Sequence, residues 1–265
     1  MKPLLTIEEA AGYLRVSKTS LRRWTNEGRL ECVRVGARGE RRFRKEDLER
    51  FLQAAPQQPE PQPGPTEASA GQDPMAALDV AARRGVPRHV SLHHHNRDEM
   101  WRLFQPYVAW HLRRRAPLLW VYEAGLRDDS LARLRGEGVD PDQLIASDHL
   151  RLLDPSEAYL RTGSFDADRM VDFMESAILD FRSKGHKNVL ISGEMVWSLS
   201  GAPGVDGMIE YEGKLNDLLR RHPGVTIVCH YDLERIGSKV TLGALCTHPH
   251  VQLGDRLAGG LLAPI

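Results

Sequence analysis

Apolar positions in the first fifty-odd residues recur with helical spacing, then with strand spacing. Ile7, Ala10, Ala11 and Leu14 fall at i, i+3, i+4 and i+7, which predicts an amphipathic helix ending by Arg15-Val16. Thr6-Ile7-Glu8-Glu9 in front of it has the form of a capping box, where Thr6 can accept a backbone N–H and Glu9 can reach back to the helix start. Ser17 then caps a second helix, from Lys18 to about Asn26, with Leu21 and Trp24 inward and Gly28 as its stop. Two such helices joined by a three- or four-residue turn make a helix-turn-helix. Cys32 to Val35 and Arg41 to Arg44 flank Gly36-Ala37-Arg38-Gly39 and read as a hairpin wing, and Lys45 to Gln53 as a third helix with Leu48, Phe51 and Leu52 turned to the core.

The pattern then stops. Between Pro56 and Pro74 lie six prolines, four glutamines and two glycines, a composition that cannot bury enough apolar surface to offset its ordering entropy. From about Gly85 short apolar runs alternate with longer amphipathic stretches, the rhythm of a mostly parallel sheet flanked by helices. Strands are expected at 89–92, 118–122, 150–153, 189–192, 225–231 and 251–253. Helices are expected at 97–114, 130–137, 166–184 and 210–221. The fold class is therefore α/β, with a winged helix-turn-helix at 1–54, a Pro/Gln-rich linker at 55–84 and an α/β sandwich at 85–265.

Charge sharpens this division. The chain carries 36 basic and 36 acidic side chains, but residues 1 to 54 hold 13 against 8 and the remainder 23 against 28. A head of net +5 and a body of net −5 meet different partners. The longest apolar runs, such as Ala116 to Tyr122, are far shorter than a membrane span, and Glu8 and Glu9 interrupt any leader-like start. Three cysteines without CxxC spacing fit a reducing compartment, so a cytoplasmic protein with no membrane partner is expected.

A helix of this size fits the major groove of double-stranded DNA. Arg22 and Arg23 are the first candidates for base edges, with Ser17, Lys18, Thr19 and Asn26 beside them. The wing residues Arg34, Arg38, Arg41 and Arg42 suit phosphate contacts, which give affinity without sequence information. A solvated basic face on a protein-binding module is the alternative. The element order, and the wording from Leu5 to Ser17, resemble the MerR-like and excisionase-like winged helix-turn-helix family. One such domain offers few contacts, and specific recognition usually combines two half-sites through a symmetric dimer, so a homodimer or higher homo-oligomer is expected. No heptad run follows the head, so self-association falls to the body.

No GxxxxGK[ST] turn follows any candidate strand, and the acids after Tyr122 would repel a triphosphate, so ATP hydrolysis is not expected. Ligands of open parallel sheets bind at the carboxyl ends of strands. His93, Glu123, Glu194, Trp197, Cys229 and Tyr231 fall there, a mixture suited to a small, partly apolar molecule. Glu194 can equally be a strand-end carboxylate bonded to backbone N–H groups, and Cys229 a buried inert thiol or a redox sensor. His93-His94-His95, with His230, His248, His250, Cys229 or Cys246, invites a metal reading. No HxxxH or CxxC frame supports it, so no metal is assigned and the cofactor is left open.

His93, the strand Leu118 to Tyr122, Gly193-Glu194-Met195-Val196-Trp197, Tyr211 to Asn216, Cys229-His230-Tyr231-Asp232 and Thr247-His248-Pro249-His250 together look like the MEDS sensory domain over roughly residues 86 to 255. That family takes its name from methanogen and methylotroph regulators of the dichloromethane-repressor type. The resemblance implies a RecA-like and KaiC-like α/β core that has become a sensor, with hydrocarbon derivatives as ligands. The expected function is a non-enzymatic one-component transcription regulator, with an operator-binding head and a body sensing an unidentified small molecule. A nucleotide-binding or degenerate-ATPase switch tethered to DNA is the alternative.

Overall fold

The structure is a computed structural model that describes residues 4–14, 21, 25, 30–35, 40–53 and 73–259. The chain divides into two units, Met1–Glu67 and Ala68–Ile265.

In the first unit, helix α1 (Ile7–Leu14) begins at the expected capping box: the Glu9 amide donates to Thr6 Oγ1 at 3.2 Å and the Thr6 amide donates to Glu9 Oε2 at 2.7 Å. Strands β1 (Val33–Val35) and β2 (Glu40–Arg42) pair antiparallel as the wing, and helix α2 (Lys45–Gln53) follows. A two-way backbone bridge between Leu5 and Phe43 ties the chain before α1 to the chain after β2. Ala10, Ala11, Leu21, Leu30, Phe43 and Leu48 close a small apolar core. Ser17, Lys18, Thr19, Arg22, Arg23, Asn26, Arg38, Trp24 and the Leu52 side chain lie outside the described residues.

The second unit is a seven-stranded sheet between two layers of helix. Its strands are β3 (His89–His94), β4 (Leu118–Val121), β5 (Leu150–Leu153), β6 (Val189–Glu194), β7 (Val225–Asp232), β8 (His250–Leu253) and β9 (Arg256–Gly259). They stand in the order β5-β4-β6-β7-β3-β8-β9, parallel except for β9 at the edge. The helices are α3 (Pro74–Ala82), α4 (Arg97–Leu112), α5 (Arg127–Gly136), α6 (Pro141–Ala146), α7 (Ala167–Ser183), α8 (Met208–Arg221) and α9 (Ser238–Thr247). Among the described residues no helix is long and apolar enough to cross a membrane.

Strand alternation divides the core in two. One face gathers Val90, Leu92, Leu118, Trp120, Leu190 and Val228 against α3, α4 and α5. The other gathers Leu119, Val121, Ile191, Ile227, Cys229 and Tyr231 against α7, α8 and α9. The four central strands, β4, β6, β7 and β3, are buried on both faces, as a covered parallel sheet requires.

The expected linker is shorter than composition indicated. Asp73 caps α3 by accepting from the Met75 amide at 3.0 Å, Pro74 occupies its first turn, and Met75 and Leu78 are fully buried. Residues 74–82 therefore belong to the body: two apolar anchors and a capped start outweigh the proline-rich context. Helix α6 repeats the device, with Asp140 accepting from the Asp142 and Gln143 amides. Helix α9 has only Ala244 fully buried and carries no strong apolar stripe, so its sequence gives little signal.

The Gly-Glu-Met-x-Trp segment serves packing before anything else. A Cβ built on Gly193 would stand 2.1 Å from the Tyr159 hydroxyl. The Tyr159 ring is itself stacked on Trp197 at 4.4 Å, and its hydroxyl points to Met195 Sδ. Gly193→Ala is expected to destabilise the protein by about 1 to 3 kcal/mol in urea unfolding, because the pinned ring must move. Gly213→Ala, inside α8 with open space around it, should change stability by less than about 1 kcal/mol and in the favourable direction.

Candidate functional site

Helix α8 turns Met208, Tyr211, Leu215, Leu218 and Leu219 to the sheet, and Glu212 sits among them, fully buried. A carboxylate placed in an apolar stripe needs partners, since burying an unpaired charge costs several kcal/mol. Oε1 of Glu212 accepts from the Tyr231 hydroxyl at 3.0 Å. Around Oε2 stand His89 Nε2 at 3.2 Å, His248 Nε2 at 3.3 Å and Cys229 Sγ at 3.4 Å. His89 comes from the start of β3, Cys229 from the middle of β7, and His248 from the residue after α9.

The other nitrogen of each imidazole is already committed. Asn216, one turn along α8 from Glu212, donates through Nδ2 to the Thr247 carbonyl at 2.7 Å, which leaves its Oδ1 facing His89 Nδ1 at 3.1 Å. His248 Nδ1 faces the Ala244 carbonyl at 2.8 Å. Both Nδ1 atoms therefore donate, and in a neutral ring both Nε2 atoms are bare lone pairs aimed at a carboxylate oxygen. The arrangement is short of positive charge. Burial, reinforced by His248, pushes the His89 ring down to about 4. Burial alone would raise Glu212, yet the two imidazoles hold it below the ordinary carboxylate range. These two tendencies oppose each other, and the geometry supports an ionised Glu212 only with a cation at the two nitrogens. Burial and Glu212 together push the Cys229 thiol well up, so on its own it stays protonated and inert.

A second polar group occupies the opposite face at the carboxyl end of β6. Glu194 accepts from Trp120 Nε1 at 3.1 Å and pairs with Arg97, whose guanidinium also grips Asp129. Burial pushes Glu194 up to about 7 against the pull of Arg97. Beside it Ser192 Oγ and His230 Nε2 lie 2.6 Å apart.

The six residues expected to line one pocket are thus distributed. His93, Cys229, Tyr231 and Trp197 belong to the α8 face, Glu194 to the α4 face, and Glu123 is held by Arg235 at 2.6 Å. The reason is the period of two: Gly193 is in register with Cys229, and Glu194 with His230, on opposite sides of the sheet. Trp197 serves as a packing partner of Tyr159, and Glu194 bonds to side chains where backbone amides were the expected alternative. His93 stacks on Tyr231 at 5.3 Å with no hydrogen-bond partner at either ring nitrogen, and burial pushes it to about 4. His95 is exposed and pairs with Glu234. Sequence reasoning did not single out His89, Glu212, Asn216, Arg97 or Trp120. An acid at the apolar spacing of α8 was the legible signal for Glu212.

In the head, Arg34 and Arg41 stand directly opposite in the wing register, and Arg34 is exposed. Arg42 turns to Glu40 at 2.9 Å.

A helical head with a basic wing and a mostly parallel α/β body with a buried polar centre define a two-part regulator, a DNA-binding unit carried with a sensory one. The chain belongs to the MEDS family, the methanogen/methylotroph, DcmR sensory domain, which matches residues 88–249, and residues 4–56 match the helix-turn-helix domain family. It is similar to the transcriptional repressor DcmR of Methylorubrum extorquens (strain DSM 6343 / CIP 106787 / DM4), with 29% identity over 253 residues, covering 92% of this chain and 89% of that protein.

Glu194 carries a measurable pH signature. Its folded value lies above the ordinary 4.5, so its contribution to stability is present below about pH 4.5 and is lost as pH rises through about 7. Buried neutral histidines such as His111, pushed to about 4, act in the opposite sense and lose their contribution on acidification. They are common to wild type and variant. The difference in unfolding free energy between Glu194→Gln and wild type should therefore shift by up to about 3 kcal/mol in the variant's favour from pH 4.5 to 7. A pH-independent difference in urea titrations would show that Glu194 is ionised throughout.

Proposed function

We propose that this protein is a cytoplasmic one-component transcription regulator, whose head binds operator DNA and whose body senses a small molecule without catalysing a reaction. The observation that carries this reading is the shared order of helix-turn-helix and sensory domain along nearly the full length of a protein named as a transcriptional repressor. The wing supports the DNA part. Arg34 is exposed on the wing, where a basic side chain suits contact with a phosphate backbone. Arg22 and Arg23 remain our candidates for base edges, with Ser17, Lys18, Thr19 and Asn26 beside them and Arg38 and Arg42 at the backbone.

For the body, a non-catalytic role is favoured because Glu194 is buried and each of its oxygens already bonds a side chain, Trp120 or Arg97, which ill suits it to orient a water for phosphate hydrolysis. We place the sensed molecule at the carboxyl ends of β3 and β7. There His93 offers two unpartnered nitrogens above the Tyr231 ring, a polar handle within an apolar setting. We divide the chain into a DNA-binding unit at 1–54, a linker that ends before α3, and a sensory unit from α3 onward. A proline- and glutamine-rich linker transmits little torque, so control through homodimerisation and the effective concentration of the two heads fits better than a rigid lever.

The full chain should protect a discrete segment upstream of its own gene in DNase footprinting; absence of any protected segment there and beside neighbouring genes would overturn the reading. Arg34→Ala should weaken binding almost uniformly across sequences and reduce the slope of log affinity against log salt by about 1. Arg22→Ala should cost about 1 to 3 kcal/mol and relax base preference at one position.

A further inference from the structure

The centre formed by His89, Glu212, Cys229 and His248 is a closed set of four donors drawn from four separate segments of the body. We propose that it binds a divalent transition-metal ion of the zinc class, held by His89 Nε2, His248 Nε2, Glu212 Oε2 and Cys229 Sγ. The inference goes beyond the regulator reading and does not depend on it.

Four observations converge. All four donors are buried and lie within 4.8 Å of one another. The separations found along the edges of this set are 3.2, 3.3, 3.4 and 3.6 Å. A tetrahedral ion with metal–nitrogen, metal–oxygen and metal–sulfur bonds of about 2.0 to 2.3 Å has donor–donor edges of about 3.3 to 3.6 Å. Each imidazole is also oriented as a ligand is: Nδ1 donates to a carboxamide or carbonyl, and Nε2 points its lone pair inward. His248 Nε2, moreover, has no hydrogen-bond partner although the residue is 1% exposed. Two lone pairs and a carboxylate oxygen aimed at one point repel one another unless a cation stands between them.

A cleft of about 370 Å³, lined in part by Gly213, Asn216, Cys246, Thr247 and His248, opens beside the centre. Mixed nitrogen, oxygen and thiolate donors with four protein ligands suit zinc or a similar borderline ion in a closed, structural coordination. On binding, the Cys229 S–H bond breaks, sulfur keeps the electron pair and donates it to the metal, and the proton passes to buffer. No redox partner is needed. The ion would fasten the starts of β3 and β8 and the middle of β7 to helix α8, beneath the proposed sensing residues His93 and Tyr231.

The test uses the full chain. Protein purified without chelator should carry about one ion per chain by plasma mass spectrometry. After chelation under reducing conditions, added Co²⁺ should restore a near-ultraviolet thiolate-to-cobalt charge-transfer band and release about one proton per ion. The double variant Cys32→Ser/Cys246→Ser, which leaves the four donors untouched and Cys229 as the one thiol, should keep the band, and Cys229→Ser should lose it. Asn216→Ala, which removes no ligand, should weaken Co²⁺ binding roughly 10- to 100-fold. Metal-free protein that gives no band with Co²⁺ would overturn the proposal, as would a band that vanishes in the double variant. None of these readouts involves DNA, so a failed footprint would leave them unaffected.

Discussion

A carboxylate on the buried side of a helix restricts everything that touches it. Glu212 cannot be solvated, so the strand starting at His89, the strand carrying Cys229 and Tyr231 and the turn carrying His248 must each present a partner to it. This makes the packing of α8 on the sheet specific in register as well as apolar in character. A one-residue slip of β7 would carry Cys229 and Tyr231 to the opposite face and leave the acid unpaired. Apolar contacts alone, such as Leu215 and Leu218 against Ile227, would tolerate more latitude.

The two sheet faces solve different problems. On the α4 side Glu194 meets Arg97, which also holds Asp129, and this chain of polar groups reaches the half-exposed surface through Arg133. On the α8 side Glu212, His89, Cys229 and His248 are all buried. Burial leaves the inner group with imidazoles as its only candidates for positive charge among the described residues. The contrast separates an ion pair that completes itself from a donor set that calls for a further cation.

The head and the body are also unlike in economy. Among the described residues the first unit closes a small core, and the Thr6–Glu9 box and the Leu5–Phe43 bridge fix the start of its first helix. The body relies on long-range pairing of seven strands. A small unit with a charged wing and a large unit with a polar interior suit separate tasks, DNA binding and sensing.

Sequence alone determined what depends on neighbours along the chain. The capping box, the 3.6-residue stripe of α1 and α7, the alternation of strand and helix, and the charge contrast between head and body are local or compositional. Motif wording carried the family. Local signals also set the limits: α9 was missed because it buries little, and α3 because a proline-rich context masked the anchors Met75 and Leu78. Tertiary structure alone decided which residues share a site. Cys229 and Glu194 lie on neighbouring paired strands, yet pairing register assigns them to opposite faces, while His89, Glu212, Cys229 and His248, spread over 160 positions, meet within 4.8 Å. Such convergence is fixed by the order of strands in the sheet and the seating of α8 upon it, and no spacing along the chain records either.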